Sequence, residues 1–145
     1  MFTCVSCGDG RKDSTEAAEH QNEETVENKQ EDDAEFAVDA ADAGLLEVQL
    51  GTLALSKATS AQVKQFAQMM VDDHTKANNE LKALAQQKNI TLPTTLGDAS
   101  QRKYDNFNDK TGADFDKDYI DQMVTDHKQV IDEFQDEAEE GNDPE

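Results

Sequence analysis

Basic residues, cysteines, prolines and long apolar runs are all scarce in this chain. Thirteen Lys and Arg stand against 33 Asp and Glu in 145 residues, a net charge of −20. So acidic a surface repels phosphate backbones and anionic head groups, which excludes nucleic acid and leaves the membrane accessible only through an anchor. No apolar run approaches the ~18 residues of a spanning helix. No stretch alternates with period two, so no sheet is expected. Glycine-rich phosphate loops are missing, because the GDG at 8–10 precedes only a polar segment. No Ser or Cys has a paired base for nucleophilic catalysis, and the Gly between Asp105 and Asp118 sits at the wrong offset for an EF-hand.

The two cysteines, Cys4 and Cys7, fall in MFTCVSCGDG. A working CxxC pair needs a folded setting, and the polar residues that follow offer none. Val5-Ser6-Cys7 before Gly8 also resembles the end of a lipobox, which makes Cys7 a lipidation candidate. Only six residues precede it, too few for an apolar signal region, so this reading places the native start upstream. An inert tail is the third reading. Residues 1–31 are expected to form a disordered acidic tether, because Val26 is the only large aliphatic residue between 8 and 31.

What the chain does have is a repeat. FAQMMVDDHTKANNEL at 66–81 aligns without a gap to YIDQMVTDHKQVIDEF at 119–134. Met70, Val71, Asp73, His74 and Glu80 meet Met123, Val124, Asp126, His127 and Glu133. Apolar residues recur at helical spacing on either side, so two helices carry one Met-Val-x-Asp-His device.

Four helices are predicted. The first runs over 32–58, with Ala and Gly at many contact positions. The second, over 60–88, starts at a capping-box-like Thr59-Ser60-Ala61-Gln62 and stops at Asn89. A shorter third helix spans 98–108, with Tyr104 and Phe107 inward. The fourth starts after Thr111 and runs to about 140, with Asp116, Ile120, Met123, His127, Val130 and Phe134 in its seam. The fold class is therefore all-α: a four-helix bundle over 32–145, built from two long-helix hairpins.

Three seam residues are polar. The short turn makes the first two helices antiparallel, with Glu47 about 12 residues before it and His74 about 14 after. At ~1.5 Å per residue the two lie at matching depth, and His127 is the repeat partner of His74. Met70 and Met123 lie one turn away on the same faces. A carboxylate, two imidazoles and two thioethers suit a copper or zinc ion. A di-iron carboxylate site is disfavoured, because Val71 and Val124 stand where its Glu residues belong. The same residues also read as a self-satisfied polar layer that fixes helix register, with methionine filling gaps.

EVQLG at 47–51, FAQMMVDDH at 66–74 and YIDQMVTDH at 119–127 resemble the ferritin-like domain-of-unknown-function family 4142, often labelled predicted outer membrane protein. The resemblance covers about 36–140. It implies a ferritin-like bundle in a bacterial cell envelope, exported or lipid-anchored, with no established activity. It highlights the same Glu47, His74 and His127. The sequence thus reads as a periplasm-facing structural or binding module rather than a catalyst, its protein partner unknown, with metal binding as the alternative function.

Overall fold

The computed structural model describes residues 13–26 and 30–141; Cys4 and Cys7 lie outside them. Among the described residues there are five helices and no strand. No helix among them is long and apolar enough to cross a membrane.

Two long helices form the centre. α2 (Glu31–Lys57) and α3 (Ala61–Lys88) are joined by a three-residue turn and pack along their lengths. Small residues allow the close approach. A Cβ on Gly51 would lie 2.8 Å from Val71 Cγ2 and 3.2 Å from the Ala67 carbonyl oxygen. Ser60 is the N-cap of α3, its side chain accepting from Val63 N–H at 3.5 Å. α3 ends at Asn89 in the left-handed region (φ 59°), a conformation asparagine tolerates.

α4 (Asp98–Asn108) is held at its start by acceptors from elsewhere. Asp42 Oδ1 accepts from Gly97 N–H at 2.7 Å, and its Oδ2 accepts from Ser100 Oγ at 2.5 Å. α5 (Gly112–Glu140) begins beside the α2–α3 turn. Asp116 accepts from Thr59 N–H, Thr59 Oγ1 and Ser60 N–H at 2.6–3.2 Å. The sequence reading put Asp116 in the seam of its helix. It serves instead as a cap for the neighbouring one, because a carboxylate beside unpaired N–H groups at a helix start gains both hydrogen bonds and dipole.

The dry core fills the half of the bundle nearest the turn. Leu50, Ala54, Ala67, Met70, Phe107, Phe115, Tyr119 and Met123 are buried there. Phe115 stacks on Tyr119 with centroids 6.0 Å apart, and Phe107 and Phe66 meet this pair edge-on. Each large side chain fully buried in this way contributes about 1.5–3 kcal/mol.

α1 (Ser14–Thr25) corrects the expected tether. Asp13 caps it by accepting from Glu16 N–H at 2.9 Å and also accepts from Asp98 N–H at 3.0 Å, so one carboxylate serves two helix starts. Ala18 is buried, and Asn22 bonds twice to Thr91: Nδ2 donates to the carbonyl at 3.0 Å, and Oδ1 accepts from the N–H at 2.7 Å. The helix packs on α2 and is tied by polar pairs to Thr91 in the linker and to the start of α4, which an apolar count cannot register.

Candidate functional site

Above the dry core lies a polar layer. Glu47 on α2 is 5% exposed. A lone carboxylate at that depth loses several kcal/mol of hydration unless it is paired. Its partners come from the two helices that carry the repeat. His74 Nδ1 lies 2.5 Å from Glu47 Oε2, and His127 Nδ1 lies 3.6 Å from Glu47 Oε1. The two imidazoles meet edge-on at 5.5 Å. One ligating atom from each of Glu47, His74 and His127 lies within 4.8 Å of the others.

The repeat produces this convergence because α3 and α5 both start at the turn end and run the same way. His74 and His127 lie 13 and 15 residues into their helices, about 20–23 Å up the bundle.

The hydrogen bonds orient both rings. A carboxylate only accepts, so His74 Nδ1 donates to Glu47. His127 Nδ1 lies 2.8 Å from the Met123 carbonyl oxygen, which also only accepts, so that nitrogen carries its hydrogen too. In this state Glu47 holds the His74 ring as a hydrogen-bond acceptor; an ion shared by Glu47 and His74 would replace that proton and take the Nδ1 lone pair.

The layer also borders an unpaired group. Tyr119 is fully buried, and its hydroxyl has no hydrogen-bond partner among the described residues. Burial, and then the charge of Glu47, push the Tyr119 hydroxyl up to about 12, so it remains a donor across physiological pH.

The five predicted ligands separate here. Glu47, His74 and His127 come together. Met70 and Met123 belong to the hydrophobic core, 4% and 1% exposed, and Met123 meets His127 through its main-chain carbonyl. Asp126, the repeat neighbour of His127, accepts from Lys103 Nζ at 3.1 Å and from Gln122 Nε2 at 2.7 Å.

Sequence reading missed the space around the cluster. A cavity of about 610 Å³ opens on the far side from the core, with Glu47 and His74 in its lining. A smaller one of about 240 Å³ reaches Glu47 from the α4 side. The missed signal was composition: the stretch of α2 facing the larger space is Ala37, Ala40, Ala43 and Gly44, too small to fill it.

The fold and the site define a small acidic helical bundle with a carboxylate–bis-imidazole cluster set between its core and a cavity. The chain belongs to the family described as a domain of unknown function (DUF4142), whose model matches residues 15–145 and so includes α1. No curated protein and no solved structure matches it.

Proposed function

We propose that this is a metal-binding module of the bacterial cell envelope, with His74, His127 and Glu47 holding one divalent transition-metal ion. The observation that carries this reading is the buried Glu47 carboxylate with two oriented imidazoles converging on it from different helices. Two nitrogens and one oxygen suit zinc or copper(II). With Met70 and Met123 packed in the core, the thioether argument for copper(I) loses its support. The unpartnered Tyr119 hydroxyl fits a site that admits an oxygen ligand, such as a water on the ion. The ion's role here is binding rather than turnover.

The wider setting belongs to the same proposal. α2, α3, α4 and α5 form a ferritin-like bundle, and Cys7 carries the lipid anchor. With α1 starting at Ser14, such an anchor would hold the bundle on a leader of only a few residues.

A second reading rests on the same contact. Glu47 already has two imidazole partners without an ion, so the cluster can act as a polar layer that fixes the register of α2, α3 and α5. A thermal melt of the full chain separates the two. A ligand that binds only the folded state raises the melting temperature. The metal reading expects a rise of several degrees with one equivalent of zinc or copper(II), absent in His74→Ala. The register reading expects no rise with any ion and a lower melting temperature for both His74→Ala and Glu47→Ala.

A further inference from the structure

The apolar stripes of α3 and α5 continue past the histidines as Leu81 and Leu84, and as Val130 and Phe134. Their spacing calls for a closed seam, yet the seam is open. Phe134 is 53% exposed, and Leu81, Leu84 and Val130 are only half-buried. α5 is pinned to α2 at this end by the edge-on contact of Phe36 and Phe134, centroids 4.9 Å apart. The cavity of about 610 Å³ lies behind that contact, within the range of small-molecule sites. From Phe36 to Glu47 it extends about 16 Å along α2, at ~1.5 Å per residue.

Its walls are aliphatic, and its charges have one dominant sign. Glu47 lies at the inner end, and Asp33, Glu80, Glu133 and Glu137 are spread along it; His74, paired with Glu47, and Lys88 are the basic residues in the lining. These carboxylates crowd one another. Burial first, and then a hydrogen bond and repulsion from Asp33, hold Glu137 above its ordinary range. Asp39, which lines the smaller cavity with Glu133, is raised by burial and by its acidic neighbours. An anionic head group would add to this repulsion, whereas a cationic one relieves it.

We propose that the cavity binds a single-chain amphiphile with a cationic head, of the alkylamine class, its chain along Ala40, Leu84 and Val130 and its ammonium among the carboxylates. The apolar walls supply affinity through the area they remove from water, and the carboxylates select the sign of the head. Binding does not need an ion at Glu47, so it stands or falls separately from the metal reading.

The test is calorimetric titration of the full chain, in the presence of a chelator, with decylamine, decanol and decanoate below their aggregation concentrations. Decylamine is expected to bind one per chain and at least ten times more tightly than decanol, with no binding of decanoate. Ala40→Trp and Leu84→Trp fill the space from opposite walls, and each should abolish binding while circular dichroism shows the helices retained. Glu133→Gln with Glu137→Gln should weaken decylamine several-fold and leave decanol unchanged. Equal binding of decanoate would overturn the proposal. So would full affinity in a folded cavity-filling variant, or no binding by a chain that sediments as a dimer with this face covered.

Discussion

Glu47 and His74 sit on neighbouring antiparallel helices, 27 positions apart in sequence, yet their Oε2 and Nδ1 atoms are 2.5 Å apart. This contact joins the longest packed pair of helices at the level where the dry core stops and the open half begins. What replaces either partner therefore decides both the register of the bundle and the chemistry of the cluster.

Removing the carboxylate should be felt even without an ion. Glu47→Ala leaves His74 Nδ1 without its acceptor in a partly buried layer and opens a small void. A loss of about 1–3 kcal/mol is expected, read from the urea midpoint of the metal-free chain. Glu47→Gln keeps the volume and one acceptor, so it should recover part of that loss while still abolishing metal binding.

Asn22→Ala tests whether α1 belongs to the fold. Both hydrogen bonds to Thr91 would be lost, leaving the main-chain groups of Thr91 to find water. A loss of about 1–3 kcal/mol is expected, with fast hydrogen exchange and early proteolysis confined to Ser14–Thr25. Unchanged stability and protection would return this segment to the status of a tether.

Stability should fall at both ends of an acidic window. Asp13 is lowered to about 2 by its bonds to Thr15, Glu16 and Asp98, and Asp116 is lowered by its bonds to Thr59 and Ser60. For these groups the folded state holds protons less tightly than the unfolded one. Their contribution is present above the ordinary value of 3.8 and is lost as pH falls toward about 2. Glu137 and Asp39 are shifted the other way, so the folded state binds their protons more tightly. Their contribution is largest when protonated and is lost as pH rises through their raised values. Urea midpoints across pH 2–8 should therefore peak on the acid side of neutrality. Asp13→Asn should flatten the lower limb, and Glu137→Gln the upper one.

Gly51 tests the helix approach. Its hydrogen faces Val71 and the main chain of Ala67, so a leucine there has no room without separating α2 from α3. Gly51→Leu should lose about 1–3 kcal/mol despite its better helix propensity. The same substitution at Gly112, which faces open space, would report only the strain of its positive φ of 66°.

Helix ends were legible because residues that favour turns interrupt the helical period there. Asn89, Gly97-Asp98 and Thr111 mark them in the sequence, and the structure ends or starts helices there. His74 and His127 were legible through the repeat, and Glu47 through counting residues back from the turn. The residues that escaped act without an apolar pattern. α1 docks through Asn22 and Asp13, whose polar partners lie at Thr91 and Asp98, far along the chain. Asp116 has helical spacing that fits a seam, but its neighbours Thr59 and Ser60 offer unpaired donors, and hydrogen bonding wins over periodicity. Leu81 and Phe134 obey the period and remain uncovered, because periodicity records which face is apolar and not whether small residues opposite leave a gap.

The central claim is that Glu47, His74 and His127 form a metal site, and the most direct measurement is a competition titration. The chelator-treated full chain would be titrated with zinc, and separately with copper(II), against a chromophoric chelator. The account predicts one ion per chain, bound at submicromolar concentration, with at least a hundredfold loss in His74→Ala and in His127→Ala and little change in Asp73→Asn. Failure to compete for either ion, or an affinity unchanged by both histidine substitutions, would contradict it and leave the cluster as a register device.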